Sequence, residues 1–238
     1  SAASDVYKRQ VENQDIHSKY ENFWNVELDN KKGLTVVEVI NKILEDEIKS
    51  MYIMGENPAM SDPDQNHARK ALAKLDHLVV QDIFMTETAW HADVILPSSA
   101  HAEKTGTFTN TNRQVQLGRQ AVPPPGDARQ DWWITQAIAQ RMGLDWSYLH
   151  PRDVFNEMAQ VMPSMKNITY ERLEIEDSVT YPCDDPNKPG NEIIFNEKFP
   201  TANGRGKIVP ARLIPPAELP DDDFPMILTT GRLLEHWH

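Results

Sequence analysis

Cysteine is nearly missing from this sequence: Cys183 stands alone among 238 residues. No disulfide can close within the chain, and no CxxC pair or multi-cysteine metal site can be built from it. A single thiol fits a reducing compartment, read here as cytoplasmic. The glycines form no phosphate or nucleotide fingerprint. Gly204-x-Gly206 is not G-x-G-x-x-G, and neither a P-loop nor G-x-S-x-G occurs, so nicotinamide binding in this chain is unsupported. No run of about 18 apolar residues is present, which excludes a membrane-spanning helix. Basic residues are outnumbered, 24 against 36 acidic, for a formal charge of −12. That balance argues against non-specific binding to nucleic acid or to an anionic membrane, where a basic face is the usual footprint. The N-terminus also lacks the basic and apolar regions of a signal peptide. Its first ten residues, SAASDVYKRQ, match nothing that follows and read as a non-native leader over 1–10.

What is present is the composition of a folded protein, 39% hydrophobic and 25% charged, sufficient for one large domain or one and a half. From Tyr52 to Arg141 the chain repeats apolar run, polar loop and helix. A helical stripe with a Thr35/Glu38 capping box spans 35–49. A short buried strand follows at 51–54, then a helix opened by Asp62-Pro63 and running to Leu75. Strands are expected at 78–80 and 94–96, with a short helix over 86–92 between them. An exposed strand is read at 113–117, and an amphipathic helix at 131–142 that buries Trp132 and Trp133 and is closed by Gly143. Strands separated by helices imply right-handed crossovers and an α/β fold with a mostly parallel sheet and flanking helices. Beyond a helix at 153–162 the periodicity fades, with a turn at 200–206 and a short strand at 207–209. Residues 11–215 are assigned to the α/β domain. The segment 216–238 is read as a Pro- and Asp-rich linker followed by the first strand, 226–230, of a further domain.

Ligands of α/β units collect where strand ends and helix N-termini converge, so the loops carry the functional reading. Asn57, in Gly55-Glu56-Asn57-Pro58, either fixes an ordinary Asn-Pro turn or hydrogen-bonds a base or ribose. Gln81-Asp82 ends a strand. The Asp82 carboxylate suits the paired N–H donors of a guanine, but caps a short turn equally well. Lys104 suits a phosphate oxygen, or is a solvated surface lysine. Asp131 opens a helix as a first-turn acid. Thr230-Gly231-Arg232 offers backbone N–H groups and a guanidinium as an anion cradle. His236 and His238 are not read as a metal pair, since no third ligand is near, and Cys183 is read as inert. No catalytic residue and no metal ligand is assigned.

The segments MYIMGENPAMSDPD (51–64), VVQDIFMTETAWHADVILPSSAHAEKTGTFTNTNRQVQ (79–116) and LTTGRLLEHWH (228–238) resemble the molybdopterin oxidoreductase superfamily, and within it the catalytic subunit of molybdenum- or tungsten-dependent formate dehydrogenases. The resemblance runs from Asn22 to His238. It implies a Rossmann-like third domain of that superfamily plus the first strand of a C-terminal β-barrel domain. It also implies a bis-molybdopterin guanine dinucleotide metal centre contacted by Asn57, Gln81, Asp82, Lys104, Asp131, Thr230, Gly231, Arg232, His236 and His238. Formate oxidation to carbon dioxide follows from it, with iron–sulfur clusters and the metal-ligating residue in parts outside this chain. Electrons would pass to iron–sulfur and flavin/NAD diaphorase subunits, and this chain alone would be inactive. Two alternatives stay open: a nitrate reductase or other enzyme of the superfamily, and a metal-free structural subunit of the same fold.

Overall fold

The computed structural model describes residues 13–215, 218–229 and 231. The chain divides into two compact units, Ser1–Glu192 and Ile193–His238.

In the first unit, α1 (Gln14–Trp24) and α2 (Val36–Leu44) precede a parallel sheet in the order β1 (Ser50–Met54), β2 (His77–Asp82), β3 (Val94–Pro97). The expected α/β architecture is present. Helix α2 starts at Thr35, whose hydroxyl accepts from the Glu38 N–H while the Glu38 carboxylate accepts from the Thr35 N–H at 2.7 Å, the anticipated capping box. Between β1 and β2 the sequence suggests one helix from Asp62. The structure has a short helix ahead of it, α3 (Pro58–Ser61), and starts the expected one later, as α4 (Gln65–Leu72). Pro63 offers no N–H to continue a helix, and Asp64 caps α4 by accepting from the His67 N–H at 3.1 Å. The expected helix at 86–92 is reduced to a 3₁₀ turn, Ala89–His91.

The register places Tyr52 opposite Val79 and Ile53 opposite Val80. Strand β1 is not wholly buried as expected: only Ile53 is, because β1 lies at the edge of the sheet. Ile53, Leu72, Leu78 and Val80 form one core, and Ile40, Ile43, Ala68 and Ala71 seal α2 against α4. Each fully buried Leu or Ile contributes roughly 1.5–3 kcal/mol relative to exposure.

A second sheet, β4 (Gly106–Thr109), β5 (Gln114–Gly118) and β6 (Ser178–Thr180), is antiparallel. Strand β5 is its central strand, and Val115 is fully buried, which corrects the reading of an exposed strand at 113–117. This sheet packs with α6 (Pro151–Val161) and α7 (Tyr170–Glu176) around Val115, Phe155, Ile168, Leu173 and Cys183. Helix α5 (Asp131–Arg141) ends in a Schellman motif: Gly143 sits at φ +90°, and Leu144 N–H bonds the Ala139 carbonyl at 3.0 Å. Its buried face is Ile134, Gln136 and Ala139. Trp133 is 46% exposed, so the tryptophan pair is not the core of this helix. Gln136 instead pairs its amide with both backbone groups of Tyr148, at 2.7 and 3.0 Å, which satisfies a buried polar side chain.

In the second unit, Phe199 N–H bonds the Gly204 carbonyl at 2.9 Å and closes the expected turn. Neither strand anticipated here is formed among the described residues. Ile208 is 95% exposed, and residues 226–229 are irregular with Met226, Ile227 and Leu228 exposed. A lone strand has no neighbour to take its backbone groups or cover its apolar side chains. Among the described residues no helix is long and apolar enough to cross a membrane.

Candidate functional site

Three parallel strands present their C-terminal ends on one side, so the loops that follow Met54, Asp82 and Pro97 share one edge of the sheet. A fourth segment joins them. Ser98 bridges Arg129 in parallel, Ser99 N–H bonds the Arg129 carbonyl at 2.9 Å, and Arg129 N–H bonds the Pro97 carbonyl at 3.1 Å. This delivers Gln130-Asp131, at the start of α5, to the same edge.

The first loop turns at Gly55, φ +65°, and its N–H bonds the Gln81 carbonyl at 2.9 Å. Asn57 does more than hold its own turn. Its Oδ1 accepts from the Thr88 N–H at 3.1 Å and the Thr88 hydroxyl at 2.8 Å, and its Nδ2 donates to Glu87 at 2.7 Å. Thr88 is fully buried and also accepts from the Ala59 N–H, so Asn57 and Thr88 clamp the first two loops together. The Asn57 amide, the largest influence on it, holds the Glu87 carboxyl below its usual value.

At the end of β2 the two neighbours separate in role. Asp82 Oδ1 accepts from the Ile83 N–H at 2.7 Å, a turn-forming contact, while its Oδ2 has no partner among the described residues. Gln81 is fully buried. Its Nε2 donates to Asp131 Oδ1 at 2.8 Å, and Lys104 donates to Asp131 Oδ2 at 2.5 Å. The Tyr52 hydroxyl donates to Gln81 Oε1. Burial first, and then the Asp131 charge, raise the Tyr52 phenol above its ordinary pKa.

The fold therefore brings Asn57, Gln81, Asp82, Lys104 and Asp131 to one sheet edge. Thr230, Arg232, His236 and His238 lie outside the described residues, and Gly231 is exposed in the second unit. Tyr52, Thr88 and Ser99 escape the sequence reading. Tyr52 is hidden in a short apolar strand, and Thr88 and Ser99 look like ordinary loop hydroxyls. Ser99 is 1% exposed, and its Oγ finds no hydrogen-bond partner among the described residues. No group of three or more His, Cys, Asp or Glu converges as a metal site among those residues.

Residues 2–141 match the family described as Molybdopterin oxidoreductase. The chain is 50% identical over 227 residues to F420-dependent formate dehydrogenase subunit alpha of Methanocaldococcus jannaschii, covering 94% of this chain and 33% of that protein. It is 44% identical over 227 residues to F420-dependent formate dehydrogenase 2 subunit alpha of Methanococcus maripaludis, with the same coverage of each. Among solved structures, acetylene hydratase from Pelobacter acetylenicus superposes with a TM-score of 0.52 at 22% identity, over 61% of this chain and 20% of that one, a likeness of fold. The chain spans about a third of the length of these curated relatives. With the family profile covering more than half of its length, this chain belongs to the molybdopterin oxidoreductase family.

Proposed function

We propose that this chain is a cofactor-gripping part of a formate dehydrogenase catalytic subunit, within a longer protein that oxidises formate to carbon dioxide. The observation that carries this reading is the 50% identity, over 94% of the chain, to a subunit named for that activity. The group held would be a bis-molybdopterin guanine dinucleotide bearing molybdenum or tungsten. Iron–sulfur clusters and the metal-ligating residue would lie in the remainder of the protein.

The residues at the sheet edge fit a large anionic group with a guanine end. Asp82 keeps one carboxylate oxygen without a partner among the described residues, and the pair of oxygens suits guanine N1–H and N2–H. Among the described residues Lys104 uses one of its three N–H donors, on Asp131, which leaves two for a phosphate or pterin oxygen. Ser99 holds a buried hydroxyl that lacks a partner among the described residues. A Cβ on Gly55 would meet nothing within 4 Å, so backbone there is open to close approach. Asn57 and Gln81 would support these contacts from behind, and Asp131 would serve chiefly by fixing Lys104. Thr230, Gly231, Arg232, His236 and His238 are assigned to the pterin side. When bound, the metal centre supplies the two-electron acceptor for formate. The chain's own residues bind and orient it and set its electrostatic surroundings.

Electron-transfer subunits would carry the electrons onward in the cytoplasm. Three of the most similar relatives bear F420 in their names, which favours F420 over a nicotinamide as final acceptor. The test is anaerobic expression of the whole protein with its partner subunits. Formate-dependent reduction of F420 is expected. Nitrate reduction without formate oxidation would replace this reading with the nitrate reductase alternative.

A further inference from the structure

We infer that Tyr52 is a positioning residue for Lys104, acting at a distance through Gln81 and Asp131. The inference rests on the cofactor-holding reading only for its consequence; the chain of contacts stands on its own. Tyr52 and Gln81 lie on neighbouring strands. Tyr52 is opposite Val79, and Gln81, two residues on, points to the same face. The buried Gln81 side chain has one oxygen and one NH2, and its surroundings choose their orientation. Asp131 Oδ1 accepts only, so the NH2 must face it, and the oxygen must then face the Tyr52 hydroxyl. A reversed amide would set two oxygens against each other, one of them on the fully buried Gln81 side chain. The fixed NH2 holds one oxygen of Asp131, and the other oxygen holds the Lys104 ammonium, on a side chain 24% exposed.

Four side chains from β1, β2, the loop before β4 and the first turn of α5 thus form one line of contacts. A phenylalanine at position 52 would keep the ring and lose the donor. The Gln81 oxygen would be left buried without its partner, and the amide would gain freedom to turn away from Asp131. Tyr52 itself need not touch any ligand. Its raised pKa keeps the donor proton in place at neutral pH, in agreement with the geometry.

The experiment is lysine footprinting of the full-length protein, produced under molybdate and tungstate starvation, with an acetylating N-hydroxysuccinimide ester and mass spectrometry. Tyr52→Phe should raise the acetylation rate of Lys104 about fivefold, the population change one net hydrogen bond is worth. Asp131→Asn should raise it at least as much. Lys74, held by Asp46 at 2.8 Å elsewhere in the same unit, should not change in either variant. An unaltered Lys104 rate in Tyr52→Phe, with a raised rate in Asp131→Asn, would overturn the role of Tyr52. An unaltered rate in both would break the chain at its last link. Equal rises at Lys104 and Lys74 would show general loosening and overturn it too. The footprint reads side chains without a loaded cofactor, so it can fail while formate oxidation succeeds, and the reverse.

Discussion

Gly55 shows how much one backbone angle decides at the residue scale. Its φ of +65° lies in the left-handed region, where a Cβ is strained even though the space around it is open. Gly55→Ala should therefore destabilise the intact protein by about 1–2 kcal/mol, seen as a lower denaturation midpoint. A neutral alanine would mean that the loop turns elsewhere. Thr88 presents the opposite case, a buried side chain with several bonds. Thr88→Val leaves the Ala59 N–H without its acceptor, at a local cost of about 1–3 kcal/mol. Amide exchange at Ala59 should accelerate accordingly, and unchanged protection would remove Thr88 from the clamp. Sequence made the polar residues at strand ends legible: Asn57, Gln81, Asp82, Lys104 and Asp131 do meet at one edge. It could not show their partners, because Gln81 and Asp131 are fifty positions apart and no local pattern encodes their contact. Tyr52 was illegible for the same reason, since in a short apolar strand a tyrosine reads as core.

At the scale of elements, the parallel strands and most helices follow the apolar periodicity, and the departures have local causes. Asp64 rather than Asp62 caps the helix expected from Asp62, and a short helix at Pro58–Ser61 that the periodicity did not show precedes it. On α5 a glutamine rather than a tryptophan is buried, because Gln136 finds a backbone to pair with at Tyr148. That stretch is fastened a second time: Tyr148 donates its hydroxyl to Glu157 on α6. Burial first, and the Glu157 bond second, push the Tyr148 phenol from the usual 10 up to about 12. The folded state thus favours the protonated phenol. Its contribution to stability is complete below pH 10 and is lost as pH rises toward 12, because the unfolded chain ionises first. Tyr148→Phe should flatten the fall in thermal stability across that interval. An identical alkaline fall in the variant would show that Tyr148 is not its source. The strands misjudged near 208 and 226 share one cause: apolar residues in a row read as a strand, but pairing depends on a neighbour that local sequence does not specify.

For the whole molecule, the described residues of the first unit supply two sheets and three clusters of buried apolar residues, and one edge of the parallel sheet gathers the polar loops. The acidic balance of the chain, −12, does not oppose an anionic ligand, because Lys104 and backbone N–H groups act locally in a partly buried setting. Fold class and family were legible in the sequence because loop chemistry and strand spacing agree. Thr230, Arg232, His236 and His238, which the sequence reading also assigns to the cofactor, lie outside the described residues. The measurement that bears most directly on cofactor gripping is the metal and GMP content of the full-length protein, with and without Asp82→Ala. GMP is released from a guanine dinucleotide on hydrolysis, so both analytes report the same group. Loss of a charge-assisted contact worth about 1.5–3 kcal/mol should lower both together while the fold persists. Full metal and GMP occupancy in Asp82→Ala would contradict the account.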